Sequence, residues 1–173
     1  MLIKKLIRKL LRLLSKSEIK DRQYAIGMNS YINVEKDIHM IILDYDSKDL
    51  NFVMEDCKSL AQFWNLSDYE IYSTMNGYHI FFWYDHIPYS RLKMIIDYSN
   101  CDKAYKYISK FYDYKTIRAS GKYKEHDIRY IGKFTGKRIN TRDERELGEL
   151  KRKEYQSLKK IDFFKDEVLK SAN

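Results

Sequence analysis

The sequence predicts an α/β domain, and three observations lead there. "IHMIILDYDS" (38–47) is an apolar run of strand length that ends in acid. "KDLNFVMEDCKSLAQFW" (48–64) then sets Leu50, Val53, Met54, Cys57, Leu60 and Ala61 on one face at helical spacing, with Ser47 as N-cap. Finally, Asn76-Gly77 gives a turn signal, since both residues tolerate positive φ, and it leads from a strand near "YEIYST" (69–74) into "YHIFFWY" (78–84). The order is strand, helix, strand, strand.

The remaining elements follow along the chain. Pro88 can open a helix over "PYSRLKMIIDY", and "DKAYKYISKFY" reads as another. Two short strands follow near "KTIRAS" and "DIRYIGKF". Thr141 and Glu144 form a T-x-x-E capping box, which starts a long charged helix running towards residue 170. Ahead of all this, "MLIKKLIRKLLRLLSKSEIK" alternates leucines and isoleucines with Lys4, Lys5, Arg8, Lys9 and Arg12 as a basic amphipathic helix does. It is too short and too charged to span a bilayer and lacks the core of a signal peptide. Docking on the domain, contact with an anionic membrane through residues 1–16, and binding of nucleic acid or a partner remain open for it. The chain thus divides into a basic helix (1–22), a central domain (23–140) and a C-terminal charged helix (141–173).

Composition sets limits. With 173 residues, 44% of them hydrophobic, the chain can build one core and is not a disordered protein. Cys57 and Cys101 have neither CxxC spacing nor paired histidines, which predicts no zinc site, no disulfide framework and a cytoplasmic or other intracellular setting, with viral or plasmid origin an open alternative. Charge is segregated: residues 1–16 carry six basic and no acidic side chains, residues 17–113 ten basic and fifteen acidic, and residues 114–142 nine basic and two acidic. An acidic middle followed by a basic band suits a protein that holds cations with one segment and phosphates with the next.

Asp44 and Asp46 are two residues apart, so on a strand both carboxylates leave the same face. Adjacent like charges are costly unless a cation neutralises them. A pair of Mg²⁺ or Mn²⁺ ions ~4 Å apart, bridging phosphate oxygens, does so in phosphoryl-transfer sites. The competing reading leaves Asp46 to the N-terminus of the next helix and Asp44 to solvent.

"IILDYD" followed by a helix and then "STMNGYHIFF" resembles motifs I and II of the archaeo-eukaryotic primase superfamily, the primase-polymerases. The resemblance covers about residues 37–134. It implies an α+β domain with an RRM-like antiparallel sheet and packed helices, Asp44 and Asp46 as ligands of a two-metal site, and His79, preceded by Ser73 in the same motif, facing the triphosphate. "FYDYKTIRASGKY" is similar to the third motif, which implies Asp113 as the third catalytic carboxylate and metal ligand, with Asp102 its rival, and Arg118, Ser120 and Lys122 on the nucleotide phosphates. In the basic band, Lys124, Arg129, Lys133, Lys137 and Arg138 are the candidate nucleic-acid contacts.

The implied activity is metal-dependent nucleotidyl transfer in DNA replication, with nucleoside triphosphates and single-stranded DNA or a primer-template as partners, and a partner subunit or helicase as a further one. A rolling-circle initiator is excluded because His39, His79, His86 and His126 never form a His-hydrophobic-His pair. A non-catalytic single-stranded nucleic-acid-binding module is the main competitor, since Tyr114, Tyr123, Tyr130 and Phe134 interleave the basic band. A pure binder has no need of the acidic pair.

Overall fold

The computed structural model describes residues 27–119 and 128–159. The amphipathic segment and Ser120, Lys122, Tyr123, Lys124 and His126 lie outside them. The elements are β1 (Gly27–Asn29), β2 (Tyr31–Asn33), β3 (Ile38–Tyr45), α1 (Leu50–Phe63), β4 (Tyr69–Ser73), β5 (Tyr78–Pro88), α2 (Tyr89–Tyr98), α3 (Lys103–Ile108), β6 (Thr116–Arg118), β7 (Arg129–Phe134) and α4 (Arg142–Leu158). The chain is therefore mixed α/β, and its sheets are antiparallel.

A five-stranded sheet runs β2-β3-β5-β4-β7, and β1 pairs separately with β6. Because β5 is antiparallel to both β3 and β4, those two strands run the same way, and α1 is the crossover between them. β3 is buried on both faces, which is why it reads as a continuous apolar run rather than an alternation. Ile41, Leu43 and Tyr45 point to one face, where Val53, Cys57 and Leu60 of α1 and Leu92, Ile95 and Ile96 of α2 cover them. Met40 and Ile42 point to the other, into a second core with Met28, Ile117, Phe81, Trp83 and Tyr155. Fully burying each such aliphatic side chain contributes about 1.5–3 kcal/mol before conformational entropy is counted.

α4 closes this second face. Thr141 caps it, and the capping box with Glu144 is complete in both directions. The helix can lie close because Gly148 has no side chain: a Cβ there would meet the Trp83 carbonyl oxygen at 2.6 Å. Tyr155, buried a further two turns along, packs against Tyr72, Phe81 and Trp83.

The Asn-Gly turn differs from the expectation in its cause. No described glycine has positive φ, and Asn76 is not among the non-glycine residues that do. Gly77 is needed because the loop passes the end of β3 so closely that a Cβ would stand 1.7 Å from the Tyr45 carbonyl oxygen. Thr74 N–H donates to the Gly77 carbonyl, closing the four-residue loop between β4 and β5. The cap of α1 shifts as well: Asp49 accepts from Phe52 N–H, while Ser47 supports it by accepting from Asp49 N–H.

β2 pairs only with the first two residues of β3. Further along, the start of α3 covers that edge: Tyr105 donates its hydroxyl proton to the Ile42 carbonyl, and Asp102 N–H donates to the Asp44 carbonyl, each at 2.8 Å. Otherwise these carbonyls would form an open sheet edge.

Candidate active site

Strand register joins the two motifs. Asp44 on β3 is paired directly with His79 on β5, and Tyr72 on β4 flanks His79 on the other side. His79 is 3% exposed, with Nε2 lying 3.7 Å from Asp44 Oδ1 and Nδ1 3.3 Å from the Tyr155 hydroxyl. Burial, reinforced by the Arg118 charge, pushes the imidazole down to about 3, so the ring is neutral near pH 7. Tyr155 is fully buried, and among the described residues its hydroxyl proton has Nδ1 as its one acceptor. Nδ1 therefore accepts, and Nε2 carries the ring proton on the side facing Asp44. At 3.7 Å that N–H is beyond hydrogen-bond range of the carboxylate and stays available to another acceptor.

Asp44 is 41% exposed, yet its carboxyl is pushed up to about 6 by burial, then by Asp102, then by Asp46, with Arg118 and Lys115 opposing. Asp46 lies just past the strand end and is exposed. Asp102, the N-cap of α3, is held twice: its side chain accepts from Tyr105 N–H at 2.7 Å and its own N–H donates to the Asp44 carbonyl. The carboxylate brought beside Asp44 is thus Asp102. Asp113 is exposed and acts on Tyr31 and Tyr89, which stand at the opposite end of β3. His39, the partner of Tyr31, is five residues from Asp44, roughly 16 Å along an extended strand.

Two cations stand over the acids. Arg118, at the end of β6, is half-buried; its charge acts on Asp44, His79 and Tyr155, and its Nε is buried with no hydrogen-bond partner among the described residues. Lys115 is 1% exposed, donates to the Tyr105 carbonyl and lies 3.8 Å from the centre of that ring. Burial pushes its ammonium down to about 8 against the pull of Cys101, Asp44, Asp97 and Asp102.

Other candidates fall elsewhere. Ser73 alternates to the face covered by α1 and α2, away from His79, and donates to the Arg129 carbonyl at 3.5 Å. Arg129 and Lys137 are exposed. Lys133 pairs with Asp68 at 3.0 Å. Arg138 is committed to the fold, pairing with buried Asp85 at 3.0 Å and with Glu144. It lines a cavity of about 260 Å³ with Asn65, Asp85, His86 and Arg91, none of which belongs to the acid cluster.

Tyr155, Lys115 and the buried Glu70 were not singled out from sequence. For Tyr155 a signal existed: it is the one aromatic residue in α4, seven positions from the one glycine. Among the described residues no three His, Cys, Asp or Glu side chains form a ready metal cage. The donor chemistry nonetheless suits Mg²⁺ or Mn²⁺, because such an ion takes one or two carboxylates and completes its shell with water and substrate phosphate. Asp44 with Asp46 or Asp102 offers that set, and their mutual repulsion is what a divalent cation would relieve. Comparison with protein-family models, curated proteins and solved structures found no match.

Proposed function

We propose that this chain is a metal-dependent nucleotidyltransferase of primase-polymerase type, acting in DNA replication on single-stranded DNA or a primer-template. The observation that carries the reading is the gathering of Asp44, Asp46 and Asp102 at one end of β3 beside two nitrogen groups, Arg118 Nε, which is buried with no hydrogen-bond partner among the described residues, and His79 Nε2, which stands 3.7 Å from Asp44 Oδ1. Acid beside nitrogen donors is what a metal-triphosphate complex requires. The β3-α1-β4 crossover with β5 inserted between its strands also supports an RRM-like arrangement.

Asp44, with Asp46 or Asp102, would hold Mg²⁺ or Mn²⁺, which when bound supplies charge to activate the attacking hydroxyl and to offset the leaving pyrophosphate. Arg118 binds phosphate oxygens with its guanidinium, and His79 donates one neutral N–H. Lys115 opposes the upward push on the Asp44 carboxyl. Ser120 and Lys122 extend the phosphate contacts in this reading, and a partner subunit or helicase would supply further grip on the template.

Purified chain with Mn²⁺, a primer-template and labelled nucleoside triphosphates should show incorporation that Asp44→Asn with Asp46→Asn abolishes. Arg118→Ala should raise the nucleotide Kd by roughly tenfold or more, as loss of charge-assisted hydrogen bonds does. Incorporation that survives in the double variant would overturn the reading, and so would absence of both triphosphate binding and incorporation in the wild type.

A further inference from the structure

Between Asp102 and Asp113 the chain has three lysines, Lys103, Lys106 and Lys110, and no acid. On α3 and the turn after it, three aromatic side chains remain largely in water: Tyr107 at 59%, Phe111 at 65% and Tyr112 at 54% exposed. An isolated exposed ring needs no explanation, but three rings interleaved with cations form a patch. Tyr107 and Phe111 meet edge to face at 66°, a contact that takes one face of one ring only and leaves the rest of both rings in water, and Lys110 stands 5.6 Å from the Tyr107 centroid. Lys106 is tied instead to the carbonyls of Asp97 and Ser99 at the end of α2.

Another exposed aromatic pair gives the contrast. Phe63 and Tyr98 stack face to face, 4.9 Å apart and 8° from parallel, so each uses a face on the other. In the α3 patch the ring contacts are edge-on or tilted, Tyr107 with Phe111 and Tyr112 with Tyr114, so no two rings stack face to face, and cations stand beside them.

We infer that Tyr107, Phe111 and Tyr112, with Lys103 and Lys110, form a stacking platform for single-stranded nucleic acid. Bases stack on the open rings while the lysines meet the phosphates, a sequence-tolerant mode suited to a strand whose bases are unpaired. The platform has a direction. α3 begins at Asp102, beside Asp44, and Tyr107 lies about 8 Å along the helix from it. A strand on the platform therefore leads to the acid cluster. The platform uses none of the residues of the basic band at 124–138 and goes beyond the catalytic reading.

The test uses the full chain in EDTA, without triphosphate, so that it stands or falls apart from catalysis. In fluorescence anisotropy with labelled oligothymidylate, Tyr107→Ala and Phe111→Ala should each weaken binding roughly tenfold with an unchanged salt slope. Lys103→Ala with Lys110→Ala should instead lower the slope of log K against log salt by roughly 0.7 per lysine. Phe63→Ala should bind as wild type. A parallel titration with oligouridylate distinguishes RNA from DNA as the source of the strand. The inference is overturned if the two aromatic variants bind as tightly as wild type, if Phe63→Ala loses as much as they do, or if duplex DNA binds as well as the single strand. It is equally overturned if the aromatic substitutions change the sedimentation of the protein while oligonucleotide affinity holds, which would make the patch a contact between copies of the chain.

Discussion

On one face of the sheet Ile41, Leu43 and Ile80 meet Val53, Cys57, Leu60 and Ile95, a core with no carboxylate, lysine, arginine or histidine in it, whose thiols and phenols burial holds neutral. On the other, Glu70, His79 and Asp44 stand among Tyr72, Phe81, Trp83 and Tyr155. The first face is filled mainly by volume, with its buried hydroxyls on Tyr45 and Tyr105 donating to Asp56 and to the Ile42 carbonyl. The second holds charge and therefore needs named partners. Glu70, 3% exposed, accepts from the Tyr72 hydroxyl at 2.7 Å and from Trp83 Nε1 at 3.0 Å, and forms an ion pair with Arg152 Nε at 2.8 Å whose N–H direction misses hydrogen-bond geometry. The contrast shows that α4 does more than cover an apolar surface: it brings Arg152 to Glu70 and Tyr155 to His79.

The largest effects should separate the faces. Arg152→Ala strands the buried Glu70 and should lower unfolding free energy by ~3 kcal/mol or more in urea titrations, with Glu70→Gln in the same chain recovering part of the loss. Leu60→Ala on the other face should cost a similar ~3 kcal/mol through its cavity, but by the same amount at pH 4.5 and pH 8. If Glu70→Gln recovers nothing, the charge on Glu70 is not what Arg152 answers.

A smaller effect tests the sign of the polar face's pH dependence. Asp44 has its pKa raised from 3.8 to about 6, so its ionisation disfavours the folded state, and the stability it leaves intact below pH 4 is lost as pH rises through 6. Two units correspond to nearly 3 kcal/mol by the usual conversion, which solvent screening of a side chain 41% exposed reduces to about 1 kcal/mol. Asp44→Asn should then be about 1 kcal/mol more stable than wild type at pH 7 and equal to it at pH 4. His79 works the other way. Its pKa is lowered from 6.5 to about 3, so the stability present above pH 6.5 drains away as pH falls towards 3. His79→Gln should flatten that acid limb in melts taken across the range, and an unchanged limb would remove His79 as its source.

Much of this was legible in advance, for a physical reason. β3, α1, β4, β5, α2 and the start of α4 are local patterns: an apolar run, a helical stripe, a proline, a capping box. The pairing of Asp44 with His79 was not legible, since register between strands 35 residues apart leaves no mark in either strand alone; the family resemblance implied only that one holds metal and the other faces the triphosphate. What could not be read is what the tertiary fold decides. The sequence left Asp102 and Asp113 as rivals, and it is the docking of α3 on the edge of β3 that puts Asp102 beside Asp44; Glu70 sits mid-strand where an apolar residue is the default, its partner 82 positions away. Gly77 was rightly flagged, but for its φ rather than for the carbonyl it nearly touches.

The smallest of the predicted effects concerns the helix that makes the polar face. Thr141→Ala removes half of the capping box and should cost about 0.5–1 kcal/mol in urea titrations. Because the cap acts through α4, the loss should come with faster hydrogen exchange at the amides of α4 and not at those of α1. Equal acceleration in both helices would mean that the two faces open together.

α4 also has a place in time. A ribosome delivers β3, β4 and β5 well before residues 142–158, so the stacked rings of Phe81 and Trp83 wait uncovered while their lid is still being made. During that interval the nascent chain carries a sticky aromatic sheet, the kind of surface that chaperones hold and that neighbouring chains can capture. His79 meets the Tyr155 hydroxyl only when that wait ends, so the site comes into being in the same event that ends the chain's exposure to misassembly.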